Sequence, residues 1–226
     1  MQTAPRPHRS QEADDALSEA LLDGLNVPLS ALRASLESLA AGLPREDPRS
    51  GTIAGALAEV SKVGRSVQDL AAYAAPPHPR PLRCTVEEIV YSARHQLPKK
   101  DRERVLIARV DRGGTLFVDG PLLARCLHRL VENAVEASTG YVLMNVREDD
   151  DATLFTTVNR DLHTQLDLEW AQAPFQTDKP RHLGLGLALA KRDIELLGGT
   201  LVLTRTPRGE TVAMARVPNA PEADRP

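Results

Sequence analysis

The chain is poor in cysteine, carries almost no net charge and has no long apolar run. Two cysteines occur in 226 residues, Cys84 and Cys126, far apart and in no CxxC pattern. That excludes a disulfide framework and a cysteine zinc site, and fits a reducing compartment. A formal net charge of -3 argues against a general nucleic-acid binder, which needs a basic surface. No apolar stretch approaches the roughly 20 residues that span a bilayer, and the opening Met-Gln-Thr-Ala-Pro-Arg-Pro lacks the apolar core of a signal peptide. A cytoplasmic protein is expected, with neither membrane nor nucleic acid as a partner. The sequence shows no internal repeat.

What is present divides into two parts. Residues 1–11 are polar and proline-containing and read as a disordered tail. From Glu12, Leu22, Leu25, Leu29, Leu32, Leu36 and Leu39 recur at alternating spacings of three and four, the mark of a heptad seam. Gly42-Leu-Pro44 ends it, and the short connection Arg45–Ser50 predicts an antiparallel return. A second helix from about Thr52 to Ala75 carries Ile53, Leu57, Val60, Val63, Val67, Leu70 and Ala74. Each helix is on the order of 35–45 Å long. A hairpin this thin cannot bury both faces of its seams. A second copy completing a four-helix bundle is the expected partner, packing against the chain's own C-terminal part being the simpler alternative.

Residues 76–83 begin Pro-Pro-His-Pro-Arg-Pro, which cannot continue a helix and predicts a stiff linker. Beyond it the periodicity changes. Val86, Ile89, Val90 and Ala93 suggest a helix. Val105–Val110 and Thr115–Val118 read as strands with a Gly-Gly turn between them. Asp119 opens a helix with Pro121 in its first turn. Tyr141–Val146 and Thr153–Val158 read as strands, residues 160–183 have no clear period, and strands follow at Leu201–Thr204 and Thr211–Val217. Residues 84–218 therefore predict an α/β sandwich domain, and 219–226 a disordered tail. The overall class is α+β.

Two stretches carry chemistry. In His182–Lys191 (HLGLGLALAK), Gly184 and Gly186 sit where a loop enters a helix that stops at Gly198-Gly199. Backbone N–H groups at such a helix start can approach an anion, and the helix dipole favours negative charge there. Some fifty residues earlier, Glu132-Asn133 lies on a predicted helix among Leu130, Val131, Ala134 and Val135. A carboxamide oxygen can ligate Mg²⁺, and a glutamate can accept a proton or orient a hydroxyl.

Leu127–Ser138 (LHRLVENAVEAS) resembles the N box of sensor histidine kinases and related GHKL ATPases. Ala173–Lys179 (APFQTDK) resembles their F box, and His182–Arg192 their G2 box, followed by the Ile-Glu-Leu-Leu-Gly-Gly ending at Gly199. Leu22–Leu32, with Pro28, resembles the H box of the dimerisation and phosphoacceptor hairpin. The resemblance covers about residues 12–218. It implies a Bergerat-type ATPase fold preceded by that hairpin, a homodimer, ATP with Mg²⁺, and a response-regulator receiver domain or partner kinase in two-component signalling. It further implies nucleotide-binding roles for Asn133, Asp161, Lys179, Gly184 and Gly186, Asn133 also holding Mg²⁺, and a catalytic role for Glu132.

The departures from the pattern bear on function. Asp23 stands where the family has its phosphoacceptor histidine, and no histidine lies between residues 12 and 75. An imidazole nitrogen is a competent phosphoryl acceptor, whereas the carboxylate of Asp23 lacks a metal-binding acidic neighbourhood. In the G1 box, read here as Val158–Thr164 (VNRDLHT), both glycines are gone and Arg160 stands where an adenine-binding Asp is expected. Asp161, one residue on, or Asn159 could substitute. Arg129 replaces the first Asn of the N box. Expected is a degenerate kinase-like docking dimer, a pseudokinase for autophosphorylation. The alternatives are an active kinase or ATPase acting on a separate partner, and a histidine phosphotransferase, which would need a hairpin histidine. Trp170 and Phe175 are expected to pack the lid rather than stack a base.

Overall fold

The computed structural model describes residues 8–44, 46–110, 114–149, 151–160, 167–179 and 182–219, with side chains from Gly24 onward except that of Arg109. The chain divides into two compact units, Met1–Pro77 and His78–Pro226.

The first unit is a pair of helices, α1 (His8–Ala41) and α2 (Arg49–Ala74), packed on each other. Helix α1 begins four residues before the expected start at Glu12, because residues 8–11 hold no helix breaker. It contains Pro28, whose missing N–H leaves the Gly24 carbonyl unpaired within the helix. The heptad seam divides in two. Leu29 and Leu36 on α1, and Ile53, Val60 and Val67 on α2, are half-buried. One seam position along, Leu25, Leu32 and Leu39 are 44%, 49% and 60% exposed, and Val63 and Leu70 are 50% and 46% exposed. No residue of α2 is fully buried, so a single hairpin leaves one of its two apolar rows in water. No helix among the described residues is long and apolar enough to cross a membrane.

The second unit is a two-layer sandwich. Its sheet runs β2 (Val105–Val110), β4 (Val142–Glu148), β5 (Ala152–Arg160), β7 (Glu210–Pro218), β6 (Thr200–Arg205). The β2–β4 pair is parallel and the others antiparallel. The Gly-Gly segment separates strands of different sheets: β3 (Thr115–Val118) pairs instead with β1 (Leu82–Thr85), in a small antiparallel ribbon.

Helices α3 (Val86–His95), α5 (Gly120–Glu136) and α7 (Gly186–Leu196) cover one face of the sheet. Alternation along the strands supplies that face. Val146, Phe155, Ala215 and Leu201 face one another across four strands, and all are buried. Against them α5 presents Leu123, Leu127, Leu130, Val131 and Ala134, and each leucine so buried contributes roughly 1.5–3 kcal/mol. Thr85 starts α3 with a full capping box to Glu88. Asp119 starts α5, one carboxylate oxygen accepting from Leu122 N–H at 2.9 Å and the other from Arg80 N–H at 2.8 Å. Among the described residues two short helices remain, α4 (Lys99–Arg102) and α6 (Leu168–Gln172). The latter falls in the stretch whose sequence has no period.

Candidate functional site

The C-terminal half of α5 faces the start of α7, and Lys179 reaches α5 from the chain ahead of α7. Asn133 is the pivot. Its Nδ2 donates to the Arg129 carbonyl at 3.0 Å. A carbonyl can only accept, so this bond fixes the amide and leaves Oδ1 turned the other way. There it meets the Lys179 ammonium at 3.5 Å, and the same ammonium pairs with Glu136 at 2.6 Å. Two oxygens one helical turn apart, from Asn133 and Glu136, thus converge on one cation. The F-box lysine and the N-box asparagine, 46 residues apart in sequence, belong to one site.

The two loop glycines have different duties. Gly184 has φ +66°, and a Cβ there would lie 2.5–2.7 Å from the backbone O, N and C of Gln176. Phe175 N–H donates to the Gly184 carbonyl at 3.1 Å. The loop is therefore laid backbone on backbone, and Phe175 itself is held at φ 62°, a costly conformation for a bulky residue. Phe175 is 54% and Trp170 38% exposed. Gly186 is the first residue of α7, and its added Cβ would stand 3.5 Å from Asn133 Nδ2, an ordinary contact. The start of α7 has no side-chain cap, which leaves its first N–H groups to solvent or to an anion.

Glu132 is half-buried on the next face of α5, its carboxylate 3.8 Å from His128 Nε2. His128 Nδ1 lies 3.2 Å from the Ala93 carbonyl and must be the donor to it, which turns Nε2 toward Glu132. Sequence reading did not single out His128; its place four residues before Glu132 on one helix was the available signal. Asp161 lies outside the described residues, as does the side chain of Asp23.

Arg129, the departure from the N box, has a structural occupation. Its Nη1 donates to Asp193 Oδ2 at 3.1 Å. Asp193, on α7, is fully buried and also receives Arg125 at 3.3 Å and Arg192 at 2.7 Å. A carboxylate ringed by three guanidiniums clamps α7 to α5 and so sets the position of Gly186 against Asn133. Sequence reading missed Asp193, which sits without any motif between Arg192 and Ile194. Nearby, burial first and the Asp193 charge second push the Cys126 thiol up to about 12, so Cys126 is an inert core side chain.

Mg²⁺ is the metal implied by the resemblance. Among the described residues no three His, Cys, Asp or Glu side chains converge as a metal site. The donor chemistry nevertheless fits: Asn133 Oδ1 is oriented outward by its own amide bond and already faces a cation. Mg²⁺ is commonly held by one or two protein oxygens, with phosphate and water filling the other positions.

The arrangement is a two-layer sandwich in which a core helix offers a carboxamide oxygen beside a glycine loop and a helix start without a side-chain cap. Solved structures identify it as the fold of histidine kinase catalytic domains. Full-length ShkA, crystallised with AMPPNP, superposes with a TM-score of 0.66 at 16% identity over 88% of this chain, and this chain spans 46% of that protein. The mycobacterial sensor histidine kinase MprB matches with a TM-score of 0.52 at 16% identity over 63% of this chain and 99% of that one. The catalytic domain of the histidine kinase ThkA matches at 0.55 and 18%, over 62% and 96%. No protein-family profile matches the chain, and no curated protein does.

Proposed function

We propose that the chain is a nucleotide-binding, dimeric relative of histidine kinases that does not phosphorylate its own hairpin. It serves two-component signalling by docking a receiver domain or a partner kinase. The observation that carries this reading is the meeting of Lys179, Asn133 and the start of α7 in one site, while Asp23 occupies the acceptor position on α1. Starting α1 at His8 adds one histidine to that helix, but it lies about four turns before Asp23.

In the nucleotide-bound state the start of α7 would receive phosphate on its N–H groups. Lys179 would exchange Glu136 for a phosphate oxygen. Asn133 Oδ1, relieved of the ammonium, would hold Mg²⁺, which supplies charge neutralisation between phosphate oxygens. Incubation with γ-labelled ATP tests the acceptor claim. The expected result is no acid-labile phosphate on the chain itself, and phosphohistidine on the chain would overturn it.

A second reading, a kinase acting on a separate protein, is supported by Glu132. Its half-buried carboxylate beside His128 could take a proton from an incoming acceptor. Label appearing on an added receiver domain or partner kinase, and lost in Glu132→Gln, would favour it.

The exposed rows on α1 and α2 support the homodimer. Leu32→Asp with Leu39→Asp places two charges in the face that a second copy would cover. Light scattering should read a dimer for the natural chain and a monomer for the double variant. A natural chain that is already monomeric at tens of micromolar would rule the bundle out.

A further inference from the structure

The helix-facing side of β5 ends on a side chain that the fold does not use. Phe155, Thr157 and Asn159 alternate toward the helices, and all three are buried. Phe155 and Thr157 continue rows that cross the sheet. Asn159 is 5% exposed, and its Nδ2 is enclosed with no hydrogen-bond partner. A buried amide left unpaired forfeits its hydration with nothing in return, so such a group calls for something that completes it. Arg160, where an adenine-binding residue was expected, is exposed on the other side of the strand. The inward residue of the segment resembling the G1 box is therefore Asn159.

We infer that Asn159 reads the base of the bound nucleotide, and that its carboxamide admits purines carrying a 6-oxo group, hypoxanthine above all, as well as adenine. The inference rests on the nucleotide-binding reading above. A carboxylate at this place could only accept, so it would welcome a 6-amino group and repel a 6-oxo group. A carboxamide presents an acceptor in one orientation and a donor in the other. At Asn133 the orientation is fixed by the Arg129 carbonyl. At Asn159 the atom left unpaired is the donor. A 6-oxo oxygen is the partner that satisfies that donor; turned over, the same amide accepts from a 6-amine.

The test is calorimetric titration of Mg-ATP and Mg-ITP into the full chain and into Asn159→Asp. The natural chain should bind the two within about threefold of each other. Asn159→Asp should shift the ratio toward ATP by at least tenfold, through loss of ITP binding. Both nucleotides are titrated into the same preparation, so a partly folded variant lowers both signals and leaves the ratio intact. A natural chain that binds ATP but not ITP, or a ratio unmoved by Asn159→Asp, overturns the inference and leaves nucleotide binding standing. Binding of neither nucleotide to the natural chain would instead remove the reading on which the inference rests.

Discussion

Asp193→Ala is expected to destabilise the second unit by about 3–5 kcal/mol, the range for stripping the partner from a buried charge. The cost comes from what remains. Arg129 is 9% exposed and cannot reach water without unpacking α5, and Arg125 and Arg192 would be left crowded around it. Urea denaturation followed by circular dichroism measures the effect as a lowered midpoint with an unchanged slope. The paired replacement Arg129→Met with Asp193→Leu removes both deeply buried charges and leaves Arg125 and Arg192, whose side chains are partly exposed, to turn to water. It should recover most of the lost stability. Asp193→Ala without effect would mean that the clamp between α5 and α7 is not closed in solution.

Gly184→Ala is expected to weaken Mg-ATP binding at least tenfold, with little change in melting temperature. An alanine at φ +66° is strained by roughly 1–2 kcal/mol, and its methyl would overlap the Gln176 backbone. Backbone cannot swing aside as a side-chain tip can. The loop must therefore lift from its seat, and since this seat lies outside the hydrophobic core, folding is spared. Gly186→Ala is the internal comparison. Its methyl meets only Asn133 Nδ2, at 3.5 Å, and alanine suits the first turn of a helix, so binding should change less than threefold. Equal effects at the two positions would contradict the division of labour between them.

Much of this was legible from sequence because the cues were local. The seam of Leu25, Leu29, Leu32, Leu36 and Leu39 announced the hairpin, Asp119 with Pro121 announced α5, and Gly198-Gly199 marked the end of α7. The resemblance of Leu127–Ser138 and Ala173–Lys179 to two family motifs brought Asn133 and Lys179 under consideration together. What spacing could not supply was pairing across the fold. The strand β3 leaves the main sheet for β1, which no periodicity reveals. Arg129 looked like damage to a motif until Asp193, 64 residues away, appeared as its partner. Which residue of β5 turns inward at the segment resembling the G1 box stayed open between Asn159 and Asp161, because the alternation of Thr157, Val158, Asn159 and Arg160 offers little contrast to set the phase. In a strand a one-residue shift turns every side chain to the other face.

The central claim is that Asn133, Lys179 and the start of α7 form a working nucleotide site. Titration of Mg-ATP into the full chain, beside Asn133→Ala, tests it most directly. The natural chain should bind saturably and in a magnesium-dependent way. Asn133→Ala should bind at least tenfold more weakly, with the magnesium dependence gone. No binding by the natural chain at millimolar Mg-ATP, or equal binding by the variant, would contradict it.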